Sequence, residues 1–129
     1  MIALVATAAG DFAVDLETEE VEAWPGDVAA PPGPELSLPL VVAAAASGST
    51  IVAVVHTKPP LVVSHDAGTT WRASGRGLPP GVAVAVGDDP DVVVYAARNR
   101  LYLSRDGGLF WHALAVELPE IRAISIGSS

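Results

Sequence analysis

The sequence predicts an all-β fold made of three units of four short strands each, and three observations carry that expectation. The stretch Ser64-His65-Asp66-Ala67-Gly68-Thr69-Thr70-Trp71 returns forty positions later as Ser104-Arg105-Asp106-Gly107-Gly108-Leu109-Phe110-Trp111. Short apolar runs, rich in Val and Ala, alternate with clusters of Gly, Pro, Asp and Ser, as strands alternate with turns. No stretch carries the 3.6-residue apolar period of a long amphipathic helix.

The elements follow in order. Ile2 to Thr7 is an apolar run that lacks a basic leader and leads into Asp11, so it reads as a strand and not as a signal peptide. Phe12 to Leu16 is its hairpin partner. Trp24 then falls where Trp71 and Trp111 fall in their copies, and the segment before it is a decayed copy in which Glu17, Glu19 and Val21 replace the Ser, Asp and Gly. A proline-bearing connection follows, from Pro25 to Pro39; the spacing from Trp24 to Trp71 exceeds that from Trp71 to Trp111 by seven residues, and the excess sits in Ala30-Pro31-Pro32-Gly33-Pro34-Glu35, which predicts an extended loop.

Beyond that connection Leu40 to Ala45 is a further strand, which closes the first unit. Its alanines suit a helix, but the equivalent run, Val82 to Val86, alternates Val and Ala, and a strand is expected in both places. Ser47-Gly48-Ser49-Thr50 breaks the apolar region into two strands around a turn and argues against a membrane span. The second unit runs through Ile51 to His56, Leu61 to Ser64, a short outer strand at Trp71 and the further strand Val82 to Val86. The third consists of Val92 to Ala97, Leu101 to Ser104, an outer strand at Trp111 and Ile121 to Ile126. Because Val82 to Val86 is apolar on both faces, it should lie between neighbouring layers. The chain reads as a single domain with repeat units at about 1–47, 48–87 and 88–129.

The composition of the repeated stretch suits a tight turn between strands. Gly68 and Gly108 tolerate positive φ, while the short carboxylates of Asp66 and Asp106 accept backbone N–H bonds. Ser64 and Ser104 offer hydroxyls to the same network, and Trp71 and Trp111 are expected to anchor the returning strands in the core. Each copy reads Ser-x-Asp-x-Gly-x-(Thr/Phe)-Trp, which resembles the Asp-box of the sialidase-type β-propeller repeats. Four short strands in about forty residues is also the period of a propeller blade. The resemblance implies three blades of an Asp-box propeller, with the box residues structural.

Three blades would leave a ring open, since propellers typically have four to eight. The chain begins with the second strand of a blade and ends with a first strand, and these deficits are complementary. The expectation is a homodimer in which each last strand completes the other copy's first blade, closing six blades and removing edge strands.

A net charge of −8, with seven Lys and Arg against fifteen Asp and Glu, argues against binding nucleic acid. The acids concentrate before Lys58, the first basic residue. With no cysteine there is no disulfide or thiolate chemistry, and His56, His65 and His112 are too scattered for a metal signature. No cofactor, metal or membrane partner is expected, and a cytoplasmic location is.

Ser64-His65-Asp66 has the letters of a hydrolase triad, but neighbours in a strand point to opposite faces and cannot form the relay. The sialidase resemblance implies an arginine cluster, a tyrosine nucleophile and acids at the ring axis; here only Arg122 and Tyr95 are placed to approach it, and no further motif matches. The expected function is therefore a non-catalytic binding or scaffold module that takes a protein, peptide or glycan through loops on one face, with Arg72, Arg76 and His112 as candidate contacts. The alternative is a sialidase-like glycosidase with paired carboxylates at the axis.

Overall fold

A computed structural model describes residues 1–26, 28, 33–36, 38 and 40–127. These residues form twelve strands and no helix: β1 (Ile2–Thr7), β2 (Gly10–Asp15), β3 (Val21–Ala23), β4 (Val41–Ser47), β5 (Thr50–Val55), β6 (Leu61–Ser64), β7 (Arg72–Ser74), β8 (Ala83–Val86), β9 (Val93–Ala97), β10 (Arg100–Ser104), β11 (His112–Glu117) and β12 (Ile121–Gly127). They pair antiparallel into three four-stranded sheets, ordered β12-β1-β2-β3, β4-β5-β6-β7 and β8-β9-β10-β11. We call these blades 1, 2 and 3.

The alanine run from Ala43 to Ala46 is a strand, paired residue for residue with Val54 to Ile51. Intrinsic helix preference loses here because β5 offers an apolar partner along the whole length of the run. In β8, Ala83, Val84 and Ala85 are all buried, because Ala83 and Ala85 face blade 1 while Val84 faces blade 2.

Two apolar cores hold the blades together. One joins blade 3 to blade 1 through Leu101, Leu103 and Leu114 against Val5, Val14 and Ile124. The other joins blade 2 to blade 3 through Val52, Val54, Leu61 and Val63 against Val84, Val93 and Tyr95. Among the described residues no comparable packing joins the strands of blade 1 to those of blade 2. The three blades thus form an open arc, ordered 2, 3, 1.

Three features differ from the sequence expectation or qualify it. The last strand, β12, pairs with β1 of its own chain, from Ile2 opposite Gly127 to Thr7 opposite Ile121, so blade 1 has four strands without an exchanged one. The tryptophans sit at the rim of the core or outside it: Trp71 and Trp111 are half-buried, Trp111 packing against the core between blades 2 and 3, and Trp24 is exposed. The reason is position, since each lies at or beside the outermost strand of its blade, where only one flank has a neighbour. Finally, residues 30 to 32 of the long connection lie outside the described residues; Gly33, which follows them, approaches the Ala44 carbonyl so closely that a Cβ would collide with it.

Candidate functional site

The two repeated turns are built alike. The Ser64 hydroxyl donates to Asp66 Oδ1 at 2.8 Å and accepts the Gly68 N–H at 2.8 Å; Ser104 does the same with Asp106 at 2.7 Å and Gly108 at 2.8 Å. Asp66 also accepts the Thr70 N–H and hydroxyl at 2.8 and 2.6 Å, and Asp106 the N–H groups of Phe110 and Leu109 at 3.0 and 3.1 Å. These donors favour the charged carboxylates. The Thr70 hydroxyl, Thr70 N–H and Ser64 hydroxyl together hold Asp66 down at about 2, and Phe110 N–H followed by Ser104 lowers Asp106. Gly68 and Gly108 take φ of 91° and 93°, as a left-handed turn position requires.

The decayed first copy holds its turn with a different residue. Asp15, at the end of β2, accepts the N–H groups of Glu17 and Thr18 at 2.8 and 3.2 Å, and these bonds lower its pKa. Glu19 is released from the turn and reaches blade 3, where it accepts the Ala115 N–H at 2.6 Å and lies 3.7 Å from His112 Nε2.

Where blade 2 meets blade 3, the turn of blade 3 is tied to the outer strand of blade 2. Trp111 Nε1 donates to Ser74 Oγ at 3.1 Å, while the Ser74 hydroxyl donates to the Gly108 carbonyl. Tyr95 lies behind this contact. It is fully buried, its hydroxyl donates to the Pro79 carbonyl at 2.6 Å, and its ring meets Trp111 edge-on at 6.1 Å. Burial pushes the phenol up to about 12.

Around this junction runs a groove of about 470 Å³, with Ser74, Gly108 and Trp111 beside Arg72, Arg76, Leu78, Leu109 and Phe110. Phe110 is 79% exposed and Leu109 54%, unusual for side chains of their size. Both arginines are exposed, and among the described residues neither joins an ion pair. Among the described residues no carboxylate lines the groove, although acids outnumber bases about two to one in the chain.

Arg72 and Arg76 are thus brought together, whereas His112 lies around the corner of Phe110 and Trp111, beside Leu103, Arg105 and Asp106. Sequence reasoning missed Leu109, Phe110 and Ser74. A signal for the first two was present: they occupy the places of Thr69 and Thr70 in the first intact copy, so an apolar pair stands where a turn offers it no cover. Ser74 carried no such signal, since its partner lies 37 residues away.

The inner strands β4, β8 and β12 line a second groove, where the sequence expectation places a ring axis. Among the described residues its walls are Ala44, Ala45, Ala46, Val84, Ala85, Val86, Ile124 and Ile126, with Ser47, Ser125 and one carboxylate, Asp88. Arg122 stands further along the same three strands. Tyr95, which was expected to approach this region, is instead in the core between blades 2 and 3, where Gly81 leaves room for its ring. Arg105 donates across to the Leu16 carbonyl at 3.3 Å and links blade 3 to blade 1. Among the described residues no group of three His, Asp or Glu side chains is placed to hold a metal ion.

No family model matches the sequence, and no curated protein does. Among solved structures the chain is similar to the GH74 enzyme of Niastella koreensis, with a TM-score of 0.53 and 20% identity, over 91% of this chain and 18% of that one. It is also similar to YCF48 bound to D1 peptide, with a TM-score of 0.53 and 17% identity, over 92% of this chain and 37% of that one. Both are β-propellers, and at these identities the likeness shows the fold alone. The chain spans less than two-fifths of either structure's length.

Proposed function

We propose that this chain is a non-catalytic binding module that receives a segment of a peptide or protein in the groove between blades 2 and 3. The observation that carries this reading is the exposed pair Leu109 and Phe110, held on a rigid turn beside two arginines free of ion pairs among the described residues. Apolar side chains displayed this way on a hydrogen-bonded frame are a common feature of recognition surfaces, as are Arg and aromatic residues. That YCF48 carries a bound peptide supports this reading.

The glycosidase alternative draws support from the likeness to a GH74 enzyme. It needs two carboxylates facing each other across a scissile bond, and among the described residues the groove along the inner strands is walled by Ala, Val and Ile with Asp88 as its one carboxylate. The binding reading is therefore better supported. A second copy would supply further blades to the open arc, six in all and within the range of closed propellers, with β12 kept beside β1 of its own chain and not exchanged.

The test is a selection from a random peptide display library on the immobilised chain, followed by binding of the selected peptides to Leu109→Ala and Phe110→Ala variants. Loss of binding in both variants is expected. Peptides that bind the variants as well as the parent would place the site elsewhere. Release of a chromophore from aryl glycosides would favour the alternative.

A further inference from the structure

From the charge and shape of the same groove we infer the class of its ligand: an extended peptide segment bearing two carboxylates on either side of an apolar side chain. This inference rests on the binding reading above and adds the chemistry of the occupant. Arg72 belongs to β7, the outermost strand of blade 2, whose far side has no strand paired to it. Arg76 follows in a turn between Gly75 and Gly77, both at positive φ. The arginines are four positions apart in the chain, so their Cα atoms stand at most about 13 Å apart even if the chain between them is extended. Leu78, Phe110 and Trp111 line the same groove.

Electrostatic complementarity fixes the sign of the ligand. A groove that has two guanidinium groups and, among the described residues, no carboxylate is, in a chain of net charge −8, a local reversal of the protein's field. The arginines have no internal partner to surrender among the described residues, so an incoming carboxylate gains a forked charge-assisted contact without breaking another. A span of at most about 13 Å matches carboxylates up to four residues apart on an extended peptide, with the residues between them lying over Phe110 and Trp111. A basic or uncharged segment would leave the guanidinium groups unmatched.

The experiment uses the whole chain and two fluorescein-labelled peptides, Gly-Glu-Leu-Phe-Leu-Glu-Gly and its counterpart with Gln in place of Glu, with binding read by anisotropy. The acidic peptide is expected to bind at least about tenfold more tightly than the Gln peptide, as one or two charge-assisted contacts allow. Arg72→Glu and Arg76→Glu are each expected to weaken it about fivefold, and Phe110→Ala to weaken both peptides. Arg98→Glu, in the hairpin turn of blade 3, should leave binding unchanged, and unchanged melting temperatures confirm that each variant is folded.

If both peptides bind equally, lose affinity in Phe110→Ala and ignore the arginine changes, the acidic class is wrong while the binding reading stands. If neither peptide binds measurably, or Phe110→Ala has no effect on either, both fail. A parent chain whose mass in solution halves on Arg72→Glu with Arg76→Glu would show the groove filled by a second copy, which also overturns the inference.

Discussion

The indole of Trp111 in blade 3 donates a 3.1 Å hydrogen bond to the Ser74 hydroxyl in blade 2, so the repeated turn of one blade is tied to the outer strand of the next by polar contacts at one serine. The Ser74 hydroxyl in turn donates a hydrogen bond to the Gly108 carbonyl. The contact is buried at Ser74.

Ser74→Ala therefore leaves an indole N–H and a carbonyl without partners and is expected to destabilise the fold by about 1 to 3 kcal/mol. Urea unfolding of variant and parent measures this. A change within a few tenths of a kcal/mol would mean that the two blades do not depend on the contact.

Acid should weaken the protein through Asp66. Its folded pKa is depressed to about 2 from an ordinary 3.8, so its contribution is fully present above 3.8 and is lost as the pH falls towards 2. Asp66→Asn is expected to be less stable than the parent at neutral pH and to lack this part of the acid dependence. The urea midpoint of both proteins from pH 5 to pH 2 provides the comparison, and parallel curves would contradict it.

Tyr95 sets the opposite limit. Its phenol is raised from 10.0 to about 12, so folding holds the neutral form, and stability declines as the pH rises above 10. In a Tyr102→Phe background the absorbance of the remaining tyrosine should appear near pH 12 or only on unfolding. Tyr95→Phe removes the bond to the Pro79 carbonyl but keeps the ring, at an expected cost of about 1 kcal/mol.

Gly81 is expected to admit no side chain. A Cβ there would run into the Tyr95 ring, so Gly81→Ala should cost about 1 to 3 kcal/mol as overpacking does, and Tyr95→Leu should recover part of it. Thermal melting of the single and double variants tests the pairing, and equal melting temperatures for all of them would refute it.

Light scattering at several concentrations tests assembly. A dimer is expected, completing six blades from two open arcs. A constant monomer mass would remove the second copy as the source of the remaining blades. If deleting residues 121 to 129 yields a folded monomer, the last strand is part of the dimer contact; an unfolded product instead reflects the loss of β12 from blade 1.

Much of the fold was legible in the chain itself. Turn residues punctuate every strand, and the spacing of the three tryptophans gives the period, so the three four-stranded sheets can be read locally. Even the alanine run was readable, once the Val-Ala alternation at Val82 to Val86 was set beside it. The candidate site was legible only in parts. Arg72 and Arg76 are near neighbours in sequence and stay so in space, whereas His112 is turned away from them although it is adjacent to Trp111.

What the sequence determined by itself was whatever depends on neighbours along the chain: the strands, the turns stapled by Ser64 with Asp66 and by Ser104 with Asp106, and the excess of negative charge. Only the tertiary structure decided the rest. It placed β12 beside β1, left the arc of blades open, put Tyr95 in the core, and joined Ser74 to Trp111 in one groove with Leu109, Phe110 and the two arginines. The reason is physical. A turn is stabilised by bonds within a few residues, while a groove between blades depends on how whole sheets stack, and that packing is settled by apolar side chains far apart in sequence.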